Sequence, residues 1–209
     1  ASDREDGEPR LILDDNAKAP RNSFKDLVQP IGDITLAPRE KKEVPVTIRV
    51  SSDAHSGGYY GAIRFVTVNN DIANNNVGLN ASVGTIVLVT VPGDLTQKLT
   101  LVQFGTADSK GKFKSFFTSG RVHVVARVKN VGDIHVKPFG KVIITNFKGK
   151  VVESYEVNNK EPRDNVLPDS VRRFENTLNK KKWLGRYTVD ANVGYVLGSG
   201  GIISSKCTF

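Results

Sequence analysis

The sequence predicts an all-β chain of two tandem immunoglobulin-like β-sandwich domains, on three observations. Its 209 residues are about twice what one such sandwich needs. Short stretches of alternating apolar and polar residues recur along it with turn residues between them. No stretch keeps the apolar spacing of a helix for more than two turns.

The elements follow in order. Residues 2–9 are acidic and polar, and a short apolar stretch to Leu13 leads into a connection through Pro30. From Asp33 the pattern sharpens into an expected hairpin: Ile34 and Leu36 form one arm, residues 37–42 the turn, and Val44, Val46, Ile48 and Val50 the other arm. Residues 51–58 reverse the chain into a strand at 59–68. Asn-rich sequence at 69–80 precedes an apolar strand, Ser82–Val91. Pro92-Gly93-Asp94 is the strongest punctuation mid-chain, so the domains are drawn at 1–93 and 94–209. The second domain shows strands at 99–106, 113–119, 121–130, 140–146, 151–157, 170–177, 185–195 and 202–209. That is enough for a complete sandwich, whereas the first offers only about five. The first domain is therefore expected to lack N-terminal strands, through truncation or because another molecule supplies one.

Composition narrows the function. Cys207 is the only cysteine, which excludes an internal disulfide and a cysteine-based zinc site, and sandwiches held by packing alone point towards a bacterial surface protein. The longest apolar run, residues 86–89, is far too short to span a bilayer. The chain starts at Ala1 and holds no methionine, so a processed chain is expected, with an anchor belonging to the precursor. Charge divides unevenly: residues 1–100 hold 11 Lys and Arg against 13 Asp and Glu, whereas 101–209 hold 19 against 9. Such an imbalance suggests that the second half meets an anionic polymer or surface.

No catalytic constellation is legible. His55, His123 and His135 are the only histidines, none beside an acid or Cys at ligand spacing, and no Gly-x-Ser-x-Gly occurs. The expectation is no enzyme, no cofactor and no metal. Gly57-Gly58-Tyr59-Tyr60-Gly61 precedes a strand, so it reads as a tight turn and not as a phosphate loop. Tyr59 and Tyr60 should point to opposite faces, leaving one exposed to stack on a sugar ring or a partner side chain. In residues 121–130, Val122, Val124, Ala126 and Val128 share one face, while Arg121, His123, Arg127 and Lys129 share the other as a basic ribbon. Lys110, Lys112 and Lys114 repeat that spacing, and a second cluster gathers Arg172, Arg173, Arg186 and the run Lys180, Lys181, Lys182. Phosphate-rich wall polymer, anionic peptidoglycan groups or an acidic protein are the expected ligands. Nucleic acid is not expected, because Phe113, Phe116 and Phe117 read as strand core. Leu167-Pro168-Asp169-Ser170 reads as a turn, since it lacks the Thr-Gly of a sortase signal.

Several stretches resemble the bacterial WxL-interacting proteins, which pair a peptidoglycan-binding sandwich with a partner-binding one. The likeness rests on residues 34–42, 46–48 and 57–63, then 84–88, 128–133, 166–170 and 184–187. It implies an extracellular, non-catalytic adhesion or binding protein at the bacterial cell surface, its first domain on the wall and its second on a protein partner. The alternative is a periplasmic-type chaperone or fibre subunit acting by strand complementation, with Ser82–Val91 as the strand to lend.

Overall fold

The structure, a computed structural model, describes residues 2–14, 16–19, 21–67, 82–196 and 201–209; the Asn-rich stretch 69–80 lies outside them. The chain is all-β: its described elements are antiparallel strands and one 3-10 turn at Phe24–Asp26. It divides into two compact units. One spans Leu11–Asp94, the other Leu95–Phe209 together with Ser2–Arg10. The break after Asp94 follows the Pro-Gly-Asp punctuation, but residues 2–10, drawn with the first domain from sequence, join the second unit.

In the second unit, β5 (Leu99–Ala107), β6 (His123–Asn130) and β9 (Val171–Thr177) form a three-stranded sheet in the order β5-β6-β9. Strands β7 (Phe139–Asn146), β8 (Val151–Val157), β10 (Tyr187–Gly194) and β11 (Ile202–Thr208) form a second sheet in the order β11-β10-β7-β8. Seven strands in two antiparallel sheets make the expected immunoglobulin-like sandwich. Their inner faces meet in a core where Val122 and Val124 of one layer join Val142, Ile144 and Val189 of the other, all 1% exposed or less. Fully burying each such side chain contributes about 1.5–3 kcal/mol.

A polar junction fixes the turn after β6. Asn130 is fully buried, and its Nδ2 donates to the carbonyls of Ile134 and Val166, both at 2.8 Å, while its Oδ1 accepts the Gly132 N–H at 2.9 Å. Gly132 is required there, because a Cβ would stand 2.3 Å from the Thr96 carbonyl oxygen. The sequence Leu167–Ser170 is a turn, closed by Ser170 N–H to Leu167 O at 3.1 Å.

In the first unit, β3 (Gly57–Val66) and β4 (Ser82–Val91) pair along ten residues, and Leu27, Tyr59 and Val91 form a small core. The expected hairpin at 33–50 is absent. Its turn forms, with Glu40 N–H to Ala37 O at 3.0 Å, yet the arms do not pair. The second arm bonds instead to the residues after the 3-10 turn, through Gln29 N–H to Thr47 O at 3.0 Å and Arg49 N–H to Leu27 O at 2.8 Å. Alternation marked an extended segment correctly but not its partner.

Residues 113–119 also fail to form the expected strand, keeping only isolated bridges from Phe113 to Ala107 and from Ser119 to Lys182. This segment runs across the end of the sandwich, with Phe117 turned inward against the core and Phe116 outward, 77% exposed. Reading Phe116 as core is therefore corrected.

Candidate functional site

Two expected binding features dissolve on inspection. Tyr59 and Tyr60 are both buried, at 5% and 8% exposure, so neither offers a free ring. The two faces of β3 are both covered here. Tyr59 packs with Leu27 and donates its hydroxyl to His55 O at 3.0 Å. Tyr60 lies over Gly58 and lines a hollow of about 410 Å³ with Phe24, Leu13, Ala17 and Arg64.

The basic ribbon on β6 is likewise engaged. Val125, on its charged face, is fully buried, so that face is covered too. The cover comes partly from the N-terminal hairpin, where β1 (Ser2–Asp3) pairs with β2 (Pro9–Arg10) and the turn between them carries Glu5. Arg127 grips the Glu5 carboxylate with both Nε, at 2.9 Å, and Nη2, while its Nη1 donates to Gln103 Oε1 at 3.0 Å. The Arg173 N–H donates to Glu5 O at 2.8 Å. The Arg127 hydrogen bond holds the Glu5 carboxyl below the usual carboxylate range. His123 Nδ1 stands 2.7 Å from Glu175 Oε1. Arg172, its side chain 11% exposed, pairs with Asp164 at 3.0 Å and bonds Asn165 O at 3.1 Å. Arg127 and Arg172 thus hold the fold together; Lys129 is half-buried beside Arg127 on β6.

The open cations lie elsewhere. Strand register brings the start of β6, the end of β9, the β7–β8 turn, the start of β10 and the end of β11 to one end of the sandwich: His123 pairs with Thr177, Tyr187 with Asn146, Thr188 with Thr208. The connections 108–122, 147–150 and 178–186 converge there. They are tied by Gly120 N–H to Lys181 O at 2.9 Å, Trp183 N–H to Thr118 O at 3.1 Å and Trp183 Nε1 to Gly120 O at 3.1 Å. Beneath them Trp183, Tyr187, Phe209 and Phe117 form a connected aromatic stack, with ring centroids 5.1–5.6 Å apart. Trp183 plugs this base of the sandwich, at 3% exposure.

Those three connections contain ten Lys and Arg and one acid, Asp108; the rest of 101–209 contains nine and eight. Nearly the whole positive excess of the second half thus gathers at one end. Among the ten, Lys114 pairs with Asp108 at 2.7 Å, and Lys180 donates to Tyr187 Oη at 2.8 Å over the ring. Among the described residues, none of the others stands in an ion pair. Arg121 and Lys181 are the two expected binding residues that fall here, both exposed. Three large apolar side chains stand among them: Phe116, Phe147 and Leu184 are 77%, 68% and 81% exposed. Lys148 sits over the Phe147 ring at 5.6 Å. The same ring closes on the turn after Leu184, where a Cβ on Gly185 would meet it at 3.2 Å. The sequence signal for this site was the run of Lys around Trp183 and the scarcity of acids in the three loops, where Asp108 stands alone.

The Lys114 hydrogen bond holds Asp108 at about 2, with three backbone and charge contacts helping. Its folded value lies below the roughly 3.9 of a free aspartate, so the pair stabilises the folded chain above that pH and the contribution fades as pH falls through about 2. A side-chain carboxyl NMR titration is expected to place Asp108 there and to move it upward in Lys114→Gln. An ordinary midpoint in the parent would refute the pair in solution.

Elsewhere the chemistry is quiet. Among the described residues no group of three or more His, Cys, Asp and Glu is placed to hold a metal ion. Burial pushes the Cys207 thiol up to about 11, which suppresses thiolate chemistry.

The fold and this end define an all-β chain with a polycationic surface on a sandwich. No family model matches the chain, and no curated protein does. Among solved structures it is similar to the C-terminal domain of Wzt, with a TM-score of 0.38 and 10% identity over 55% of this chain and 73% of that one. That likeness is too slight to carry a function from one chain to the other.

Proposed function

We propose that the chain is a non-catalytic binding protein of the bacterial cell surface whose second unit engages anionic surface material through the cationic end of its sandwich. The observation that carries this reading is the concentration of ten cations and one acid in three converging loops, with the cations on β6 and β9 largely spent on internal partners. Cations that are clustered, mostly unpaired and held on a rigid aromatic base suit a repeating anionic ligand such as phosphate-rich wall polymer, because many weak contacts add while each is screened by salt. The bacterial setting rests on the lone cysteine and the resemblance to WxL-interacting proteins, and adhesion and peptidoglycan contact by the first unit belong to the same reading.

Co-sedimentation with purified bacterial cell walls tests it. Parent protein is expected to bind and to release as salt rises, and Lys148→Glu/Lys181→Glu/Arg186→Glu to bind at least about tenfold more weakly, from some 1.4 kcal/mol or more lost across three contacts. Lys129→Glu, on β6, is expected to match the parent. Equal binding by the triple variant, or none by the parent, would overturn the assignment.

A further inference from the structure

Charge alone does not account for this end of the sandwich. A hydrophilic polyanion has nothing with which to cover Phe116, Phe147 and Leu184, yet each is more than two-thirds exposed at a loop tip. Large apolar side chains that stand together on a surface mark a contact with something apolar. Here each has cations as neighbours in sequence: Lys114 precedes Phe116, Lys148 follows Phe147, and Lys182 and Arg186 flank Leu184. An apolar group to bury and an anionic layer just above it describe the boundary between the headgroups and acyl chains of an anionic bilayer.

We propose that this end docks on an anionic lipid bilayer, with Phe116, Phe147 and Leu184 entering the interface and the surrounding Lys and Arg meeting lipid phosphates. The proposal rests on the reading of this end as an anion-binding surface and names its partner. The loops are suited to insertion because they are preorganised. Trp183 ties residues 118–120 to the 178–186 loop, and Gly185 lies against the Phe147 ring. The three tips therefore reach the bilayer without an ordering cost for each loop. Lys180 is held on Tyr187, and Lys114 on Asp108, so the other eight cations of the three loops are left to contact phosphate. Lysine and arginine stems also lie easily along an interface while their heads stay in the polar layer.

The test compares the 209-residue parent chain with Phe116→Ser/Phe147→Ser/Leu184→Ser by sedimentation with phosphatidylcholine vesicles, with and without phosphatidylglycerol, beside binding to inorganic polyphosphate. Parent is expected to bind only the anionic vesicles, and the serine variant to bind them on the order of 100-fold more weakly. Both should bind polyphosphate alike, and matching far-UV circular dichroism spectra and urea midpoints show that the variant is folded. Equal vesicle binding by the two proteins would overturn insertion. Polyphosphate binding without vesicle binding would overturn the bilayer and leave the anion-binding reading standing. Failure on both would remove both. Binding to a single-stranded oligonucleotide that the serine substitutions abolish, without vesicle binding, would turn the exposed rings into base-stacking platforms and overturn the proposal.

Discussion

Trp183→Ala is expected to lower the unfolding free energy of the second unit by about 3–5 kcal/mol, the usual cost of removing a buried tryptophan. The ring is 3% exposed and makes edge contacts with Tyr187 and Phe209, both at 5.1 Å between centroids. It also donates to Gly120 O at 3.1 Å, so alanine leaves a cavity and an orphaned carbonyl together. Because Gly120 and Lys181 are joined across this same contact, the loss should spread to the loops that carry the cations and weaken binding as well. Urea unfolding followed by far-UV circular dichroism is the suitable measurement, since Trp183 is the only tryptophan and its fluorescence disappears with it. Trp183→Phe should cost less than half as much. A loss below about 1 kcal/mol in the alanine variant would mean that the stack is not a core element.

Asn130→Ala is expected to cost about 3 kcal/mol, through polar groups and not volume. Alanine strands the carbonyl of Ile134 and the N–H of Gly132 and leaves Val166 O with the Val136 N–H as its remaining donor, around a side chain with no solvent access. Asn130→Asp keeps the shape, yet at neutral pH its carboxylate would face two carbonyl oxygens. It should be at least as damaging there, then recover partly on acidification once a protonated oxygen can donate to one of them. Urea midpoints for the three proteins at neutral and mildly acidic pH check this. An aspartate variant insensitive to pH would show that the side chain has swung out of the junction.

Much of the strand content was legible because period-two alternation reports a half-buried extended segment directly. Strands β4 and β8 fall on their expected limits, and β6, β7, β9 and β11 within about two residues. What alternation cannot report is the partner. Residues 44–50 alternate, yet they bond to the segment around Leu27 and not to the neighbouring arm. Tyr59 and Tyr60 do point apart, but a face counts as exposed only if nothing from a distant part of the chain covers it. The freedom of the basic ribbon was misjudged for the same reason. A ribbon of Arg121, His123, Arg127 and Lys129 looks free in sequence because Glu5 is 122 residues from Arg127 and Glu175 lies on another strand. Val125, fully buried amid that charged face, was the available sign that something would lie over it. The period-two Lys110, Lys112 and Lys114 and the run Lys180 to Lys182 were legible one by one, but nothing in the spacing says that separate loops meet; only their shared scarcity of acidic residues pointed to one surface.

The docking of Glu5 on Arg127 and Arg173 also sets an order of events during synthesis. Glu5 leaves the ribosome 122 residues ahead of Arg127, a delay on the order of ten seconds at ordinary elongation rates. Until then the hairpin around it has no receptor, and the whole of Leu11–Asp94 is made in the interval. Its closure waits out that interval, and a hairpin that meets a ready-made receptor sooner, on a neighbouring polypeptide from the same message, can engage it there instead.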